Sequence, residues 1–212
     1  MKICAVSDTH AWYTDLKEMP EADVFVHAGD IECYENISQV MHFKKWLDKL
    51  PYKRKIVIPG NHDRIVHEAQ DLVRSILKDS CDFLINQEVV IDGLKFYGSP
   101  YTPTYGYWYF MKQRGDEISR EWEKIPHDTD VLITHGPPLG VLDKVMRSKG
   151  FGENVGCYDL ARFVKQIKPQ VHIFGHIHEG YGMMKKDGTR FYNVSIFNER
   201  FEFEHRPTLI EI

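Results

Sequence analysis

The sequence is poor in cysteine, in excess positive charge and in long apolar runs. Its 212 residues include four widely spaced cysteines and no CxxC pair, which excludes a small disulfide-stapled secreted domain. The net charge of −4 lacks the basic excess of a duplex nucleic-acid binder. No apolar stretch approaches the roughly 18 residues of a membrane span, and the one after Met1 is too short for a signal peptide. These absences predict a cytoplasmic protein without a membrane or duplex nucleic-acid partner.

The length and composition predict one domain covering residues 1–212. A hydrophobic content of 42% and a charged content of 27% are typical of a soluble globular chain. Single hydrophobic cores remain workable up to about 250 residues. The composition does not specify an oligomeric state.

Hydrophobic patterning predicts a layered α/β fold with a mixed sheet core. Short apolar runs predict strands at residues 2–6, 23–28, 55–58, 88–91, 95–97, 130–134, 170–174 and 190–196. Helical periodicity predicts helices at residues 37–50, 67–78 and 158–167. Asn36 is the expected N-cap of the first helix, Asp92-Gly93 predicts a two-residue hairpin, and residues 201–212 are expected to be extended.

Potential metal ligands follow the ends of several predicted strands. They are Asp8, His10, Asp30, Asn61, His135, His176 and His178. Ligands in α/β folds bind beyond the carboxyl ends of strands, so these side chains are expected to converge. Carboxylate, imidazole and amide groups suit manganese, zinc or iron. Seven ligands overfill one site that must also hold water and substrate, which predicts two divalent ions sharing one carboxylate.

Each of these motifs also has an ordinary structural interpretation when it is taken alone. Asp-x-His can form a turn or a cap, GNHD can form a tight turn, and an isolated histidine on an apolar strand is usually a hydrogen-bonded core residue. The core interpretation is assigned to His27, His42, His67, His127, His172 and His205. The joint order of the other motifs, at strand ends, favours a metal centre.

The ordered series D-x-H, GD, GNHD, H and GHIH resembles the calcineurin-like metallophosphoesterase superfamily, from Asp8 to His178. The segments THGPPLGVLD and FGHIHEGYG are similar to the branch of metallophosphoesterase-domain (239AB) proteins and related cyclic-nucleotide phosphodiesterases. The resemblance implies a β-sandwich flanked by helices and two divalent metal ions. Manganese is favoured, with iron, zinc and nickel as alternatives.

The resemblance also implies a role for each matching residue. Asp8, His10 and His178 are expected on the first metal, Asn61, His135 and His176 on the second, and Asp30 between them. His62 is the implied catalytic residue, which contacts a phosphoryl oxygen and assists the leaving oxygen as a general acid. The implied nucleophile is a hydroxide held between the two metals.

The sequence departs from the family pattern three residues after Asp30. Many relatives carry an acid there, which can orient the histidine of the GNH motif, whereas this chain has Cys33. Glu32 and Asp63 are the alternatives for orienting His62.

The expected substrate is a small-molecule phosphodiester, such as a 2′,3′- or 3′,5′-cyclic nucleotide. Tyr101, Tyr105, Tyr107 and Trp108 lie in a loop rich in aromatic residues. They are candidates for stacking a base, and a packed loop or an oligomer contact is the alternative. A phosphomonoesterase is a second hypothesis, although GDIECYEN lacks the Asp and Arg of the GDxxDRG block of protein phosphatases. A non-catalytic scaffold is a third, although every ligand position is filled.

Overall fold

The structure is a computed structural model that describes residues 1–146 and 152–212. Its strands, numbered along the chain, are β1 (Lys2–Val6), β2 (Val24–Ala28), β3 (Arg54–Ile58), β4 (Asp82–Phe83), β5 (Gln87–Ile91), β6 (Leu94–Ser99), β7 (Thr102–Pro103), β8 (Met111–Lys112), β9 (Val131–Thr134), β10 (Lys144–Met146), β11 (Gly152–Asn154), β12 (Val171–Phe174), β13 (Gly182–Lys186), β14 (Thr189–Asn193) and β15 (Thr208–Glu211). The helices are α1 (Ile37–Leu47), α2 (Arg64–Glu68), α3 (Gln70–Leu77), α4 (Asp116–Trp122) and α5 (Tyr158–Ile167), with short 3-10 turns at Tyr13–Asp15 and His178–Gly180.

Two mixed sheets form the centre of the fold. The first has the order β15-β1-β2-β3-β4, in which β1 to β4 are parallel and β15 is antiparallel to β1. The second has the order β13-β14-β12-β9-β6-β5, with a parallel centre and an antiparallel strand at each edge. The predicted mixed sheet core is therefore confirmed.

The two sheets pack face to face around an apolar core. One buried cluster takes Ile3 and Val26 from the first sheet and Phe96, Ile133 and Ile173 from the second. Alternate residues of a strand point to opposite faces, so each sheet also has an outer apolar face. Helices α1 and α3 cover one outer face, and α4 and α5 cover the other. The result is a β-sandwich flanked by helices, as expected.

Helix α1 begins at its predicted cap. The Asn36 side chain accepts a hydrogen bond from the Ser38 N–H at 3.0 Å, and the Gln39 side chain accepts from the Asn36 N–H at 3.3 Å. This reciprocal arrangement satisfies backbone N–H groups that the first helical turn leaves unpaired. The helix is shorter than predicted and ends at Leu47.

Other boundaries also differ from the predictions. The helix expected at residues 67–78 is two helices, interrupted at Ala69 with a non-helical φ of −134° and ψ of 46°. The first is tied to the loop after β2 by the Ile65 N–H, which donates to the Cys33 carbonyl at 2.9 Å. The extended segment expected at residues 201–212 is a strand only at Thr208–Glu211. Helix α4 and strand β13 were not predicted.

None of the described helices combines the length and the apolar composition that a bilayer span requires.

Candidate metal centre

The predicted ligands lie at the carboxyl ends of strands from both sheets. The segment after β1 holds Asp8 and His10, and those after β2 and β3 hold Asp30 and Asn61. The second sheet contributes His135 after β9, and His176 and His178 after β12. Because the parallel strands of both sheets end at the same edge of the sandwich, residues distant in sequence meet there.

One group of ligand atoms comes from Asp8, His10 and His178. One side-chain atom of each lies within 4.8 Å of the other two, and Asp8 Oδ1 is 3.8 Å from His178 Nε2. All three residues are buried. These are the residues expected on the first metal.

A second group comes from Asp30, His135 and His176, whose ligand atoms also lie within 4.8 Å of one another. His135 Nε2 is 3.3 Å from Asp30 Oδ1 and 2.9 Å from Asn61 Oδ1. The amide oxygen of Asn61 therefore joins this group. These four residues match the set expected on the second metal together with the bridging aspartate.

Asp30 lies between the two groups. Its Oδ1 faces His135, and its Oδ2 is 4.0 Å from His10 Nε2. The carboxylate is almost completely buried. Its position fits a group shared by two cations.

Hydrogen bonds orient three of the histidines so that Nε2 faces inward. His135 Nδ1 donates to the Ala28 carbonyl at 3.0 Å, and His178 Nδ1 donates to the Asn198 carbonyl at 3.0 Å. His10 Nδ1 is 3.2 Å from Glu32 Oε2, and an ionised carboxylate can only accept. Metal-binding histidines typically donate the other ring N–H to such an oxygen, which fixes the tautomer and the ring orientation.

The donor atoms fit divalent cations. His10 Nε2 is buried and has no hydrogen-bond partner among the described residues, a costly state unless something else satisfies it. Ligands about 2.1 Å from one ion lie roughly 3 to 4 Å apart. The distances of 3.3 Å from Asp30 to His135 and 3.8 Å from Asp8 to His178 have this size.

The backbone of the centre is strained. Positive φ values occur at Asp8 (53°), His10 (43°), Asp30 (54°) and His176 (69°). Residues other than glycine adopt this left-handed region infrequently, and each instance costs on the order of 1 kcal/mol or more. Four of the seven predicted ligands therefore have an unfavourable backbone conformation. Such strain is concentrated at functional sites.

Close packing of the backbone also shapes the site at Gly60. A Cβ atom there would collide with the Asp30 side chain and backbone nitrogen, and it would lie 2.8 Å from His135 Cε1. Only glycine leaves room for the second group of ligands at this point.

Charge interactions within the cluster are strong. Burial alone would raise the pKa of Asp30, but the charge and hydrogen bond of His135 hold it well below the ordinary value. Burial disfavours protonation of His135, yet the adjacent Asp30 and Asp8 charges outweigh it and raise the pKa to about 9. His176 behaves differently, because burial lowers its pKa to about 3. Without a metal, His135 therefore keeps a proton that a bound cation would displace.

His62 lies beside the centre. Its backbone N–H donates to Asp30 Oδ1 at 2.8 Å, its ring meets that of His10 edge-on at a centroid distance of 4.8 Å, and it stacks on Trp108 at 4.1 Å. Burial lowers the pKa of His62. The His62 ring therefore lies next to the predicted ligand His10.

The two acids considered for orienting His62 have different surroundings. Asp63 accepts hydrogen bonds from the backbone N–H groups of Ile31, Cys33 and Gly60, so its carboxylate fixes the ligand loops. Glu32 has an oxygen within 4.8 Å of ring nitrogens of both His10 and His62. Of the two, Glu32 lies where it can act on the imidazole.

The remaining histidines divide into two kinds. His27 and His172 are buried, and each ring hydrogen-bonds a threonine hydroxyl, at 3.0 and 2.8 Å, which confirms their interpretation as core residues. His42, His67 and His127 are exposed, so the core interpretation is wrong for these three, whose polar rings lie on outer faces of helices or in loops. His205 is half-buried and stacks on Tyr181 at 3.9 Å.

A cavity of about 660 Å³ opens beside the centre. His10, Asp30, His62, His176 and His178 line it, together with Tyr105, Arg114 and Phe201. Of the four aromatic residues considered for stacking a base, Tyr105 lies on this wall. Tyr107 is fully exposed, whereas Tyr101 packs near the core.

Comparison with known proteins gives the family. The family model for calcineurin-like phosphoesterases matches residues 1–180. The chain belongs to the calcineurin-like phosphoesterase family. It is 37% identical to human metallophosphoesterase domain-containing protein 1, over all of this chain and 71% of that protein. It is 35% identical to UPF0046 protein K07C11.7 of Caenorhabditis elegans, over all of this chain and 75% of that protein.

A solved structure agrees with this fold. The crystal structure of TT1561 of Thermus thermophilus superposes with a TM-score of 0.56 at 15% identity, covering 91% of this chain and 88% of that one. The resemblance to the superfamily and to its metallophosphoesterase-domain branch is confirmed. As a calcineurin-like phosphoesterase with clustered potential metal ligands, the chain has the family features of a metal-dependent phosphoester hydrolase.

Several residues of the site were not identified from the sequence. Asn198 contacts His178 through a backbone carbonyl, which any residue type provides. Phe201 contacts the His178 ring at a centroid distance of 5.0 Å, from a loop without a motif. The Ser7 hydroxyl donates to Asp8 Oδ2 at 2.5 Å, and only its position next to a ligand could have indicated it.

Proposed function

We propose that this calcineurin-like phosphoesterase hydrolyses a small phosphodiester, of which a 2′,3′- or 3′,5′-cyclic nucleotide is the model substrate, with two divalent cations as cofactors. The observation that supports this most directly is the pair of ligand groups that share Asp30 beside an open cavity. Manganese suits the mixed carboxylate, imidazole and amide donors. The four cysteines are free thiols, in line with the expected cytoplasmic location.

In this proposal, the ligand roles follow the two groups. Asp8, His10 and His178 hold one cation, and Asn61, His135 and His176 hold the other, with Asp30 shared. Two cations bound there would make a hydroxide available near neutral pH and neutralise the phosphoryl oxygens. Glu32, Ala28 and Asn198 keep the histidine rings turned inward through the bonds described above.

His62 is the proposed catalytic residue. Its ring lines the cavity, where it can donate a hydrogen bond to a phosphoryl or leaving oxygen. Burial favours the neutral ring, and an approaching phosphoryl anion opposes this by favouring the protonated form. The imidazole can then protonate the leaving oxygen as a general acid.

The size and lining of the cavity favour a small molecule. Its volume of about 660 Å³ falls within the range of roughly 300 to 1,000 Å³ typical of small-molecule sites. Tyr105 and Phe201 place aromatic rings on the wall, and stacking of a base on an aromatic side chain contributes about 1–3 kcal/mol. Together these features support a nucleotide-like diester.

The proposal is tested by substrate profile. Protein loaded with Mn²⁺, Zn²⁺, Ni²⁺ or Mg²⁺ is assayed with both cyclic nucleotides, bis(p-nitrophenyl) phosphate and p-nitrophenyl phosphate. We expect a higher kcat/KM for diesters than for the monoester, with Mn²⁺ most effective. Faster monoester turnover would make the chain a phosphomonoesterase. No turnover, together with no thermal stabilisation by Mn²⁺, would make it a scaffold.

The role of His62 has its own test. His62→Ala should keep the metal content of the wild type and lose turnover by about 10²- to 10³-fold, the cost of removing one transition-state hydrogen-bond donor. The exposed His42→Ala variant is the matched control and should behave as wild type. An equal loss of metal and turnover in His62→Ala would contradict the assignment.

A further inference from the structure

We infer that the loop between β7 and β8, residues 104–110, is a positioning clamp that holds Asn61 and His62. Within it, Trp108 stacks on the His62 ring and keeps that ring directed at the cavity. We call these residues the clamp loop. This inference rests on the proposed function, because it assigns His62 the catalytic role. It gives the aromatic loop a second task, in addition to the base stacking proposed for Tyr105.

Three contacts join the clamp loop to the Asn61-His62 segment. The Tyr109 N–H donates to the Asn61 carbonyl at 3.1 Å. The Asn61 Nδ2 donates to the Tyr105 hydroxyl at 3.1 Å. The Trp108 indole stacks on the His62 ring with a centroid distance of 4.1 Å and an interplanar angle of 27°. The loop thus contacts one backbone group and both side chains.

The Tyr105 contact satisfies the end of the Asn61 amide that faces away from the ligand group. An amide has a donor end and an acceptor end of similar shape. The Tyr105 hydroxyl accepts from Nδ2, which leaves Oδ1 directed at His135, 2.9 Å away. Only the oxygen end can bind a cation. The hydroxyl, which can accept as well as donate, satisfies the amide N–H in that orientation and so supports it.

The Trp108 contact fixes the remaining freedom of His62. The His62 backbone is fixed by the hydrogen bond from its N–H to Asp30, but the described hydrogen bonds include none from its ring. The ring is held instead by contact with two other rings, those of Trp108 and His10. An offset stack of this kind is favourable by about 0.5–1.5 kcal/mol beyond its area burial.

Trp108 is not needed for the hydrophobic core. Its side chain is 38% exposed, and it belongs to none of the three apolar clusters formed by the described residues. It is also absent from the cavity wall, and His62 covers one of its faces. These facts favour a positioning residue over a core residue or a platform for the substrate.

Loss of the stack should affect catalysis selectively. A displacement of about 1 Å in a catalytic group can cost on the order of 10²-fold in rate. The loss should be larger for a diester with an alkoxide leaving group than for p-nitrophenolate, because only the poorer leaving group depends strongly on proton donation. Metal binding should be unaffected, since none of the described hydrogen bonds or ring contacts joins Trp108 to a predicted ligand.

The experiment compares Trp108→Ala, Trp108→Phe and the matched control Tyr107→Ala in Mn²⁺-loaded protein. Tyr107 is fully exposed in the same loop. We expect Trp108→Ala to lower kcat on a cyclic nucleotide by about 10- to 100-fold, with a smaller loss on bis(p-nitrophenyl) phosphate, unchanged KM and unchanged metal content. Trp108→Phe should recover most of the activity because a ring still covers His62, and Tyr107→Ala should match wild type.

A double variant tests whether Trp108 acts through His62. Adding Trp108→Ala to His62→Ala should cause no further loss of kcat, because residues that act as a unit are not additive. Unchanged kcat in Trp108→Ala, or an independent further loss in the double variant, would overturn the inference.

A measurement without turnover separates this inference from the proposed function. In Zn²⁺-loaded protein, the ring-current shift of the His62 Cε1–H resonance, assigned by its absence in His62→Ala, should change in Trp108→Leu and not in Tyr107→Ala. An unchanged resonance would refute the stack even in an active enzyme. If the resonance shifts but wild-type protein cleaves no phosphoester, the stack stands, while the proposed function and the catalytic purpose of the clamp both fail.

Discussion

Replacing Asp30 with asparagine should weaken the binding of both cations at once. The carboxylate is the group that faces both ligand groups, with one oxygen 3.3 Å from His135 Nε2 and the other 4.0 Å from His10 Nε2. Asparagine has nearly the same shape and can still accept the His62 N–H through its amide oxygen. The variant should therefore fold while it loses the charge that two cations would share.

The magnitude follows from linkage between binding and folding. At a metal concentration of about 100 times Kd, each site stabilises the folded protein by about 2.7 kcal/mol, so two sites contribute about 5 kcal/mol. Loss of a group that only orients a ligand weakens binding by up to about 100-fold, and loss of Asp30 should weaken it at least as much. At the same metal concentration, each site would then contribute about 0.4 kcal/mol.

The assay is thermal unfolding with and without Mn²⁺, combined with elemental analysis. One kcal/mol corresponds to about 2–4 °C for a chain of this length. Wild-type protein should therefore gain about 10–20 °C from saturating metal, and Asp30→Asn should gain less than about 4 °C. His62→Ala is the control that should gain as much as wild type. A gain of about 5–11 °C in Asp30→Asn, which is the gain from one site that keeps its full affinity, would refute the shared carboxylate.

Three further predictions concern the fold around the site. Burial lowers the pKa of His172 from 6.5 to about 3, so the unfolded chain takes up a proton that the native chain refuses, and stability falls as the pH drops from 6.5 towards 3. His172→Gln should reduce the slope of urea-derived stability between about pH 6 and 4 by about 1.4 kcal/mol per pH unit; an unchanged slope would contradict the buried neutral ring. Gly60→Ala should lower the free energy of unfolding by about 1–3 kcal/mol through overpacking, and it should weaken Mn²⁺ binding. Wild-type values in both the urea titration and the Mn²⁺ titration would disprove the close approach of Gly60 to Asp30 and His135. Asn36→Ala should cost about 1 kcal/mol in urea denaturation, whereas a neutral effect would mean that the cap contributes nothing.

The convergence of the predicted ligands could be expected from sequence because each motif is local. Each ligand is a residue type with metal chemistry, and each follows an apolar run that predicts a strand. Asp8 and Asp30 follow neighbouring parallel strands, so knowing the strands was enough to bring them together. The pattern required no knowledge of side-chain packing.

The surroundings of the ligands could not be predicted in the same way. The Asn198 carbonyl that orients His178 is a backbone group and has no sequence signature. The path of the loop after residue 100 determines that Tyr105 meets Asn61, and nothing in the spacing of its aromatic residues specifies that path. Tertiary contacts between loops from different strands set these positions.

The predicted helix boundaries were wrong in a segment that makes a contact of this kind. The sequence predicts one helix at residues 67–78. The chain instead forms α2 at Arg64–Glu68, where the Ile65 N–H donates to the Cys33 carbonyl, and it leaves helical geometry at Ala69. Helical periodicity does not encode this contact with the loop after β2.

The positive φ values at four predicted ligands make the site vulnerable to selection for stability alone. Glycine adopts such conformations without the steric cost, so His10→Gly or His176→Gly in the metal-free protein relieves local strain while it deletes a ligand. A directed-evolution campaign that rewards heat resistance of the metal-free protein would therefore tend to erase the centre one ligand at a time. The same campaign run with saturating metal would instead tend to keep these side chains, because a bound cation stabilises the folded protein.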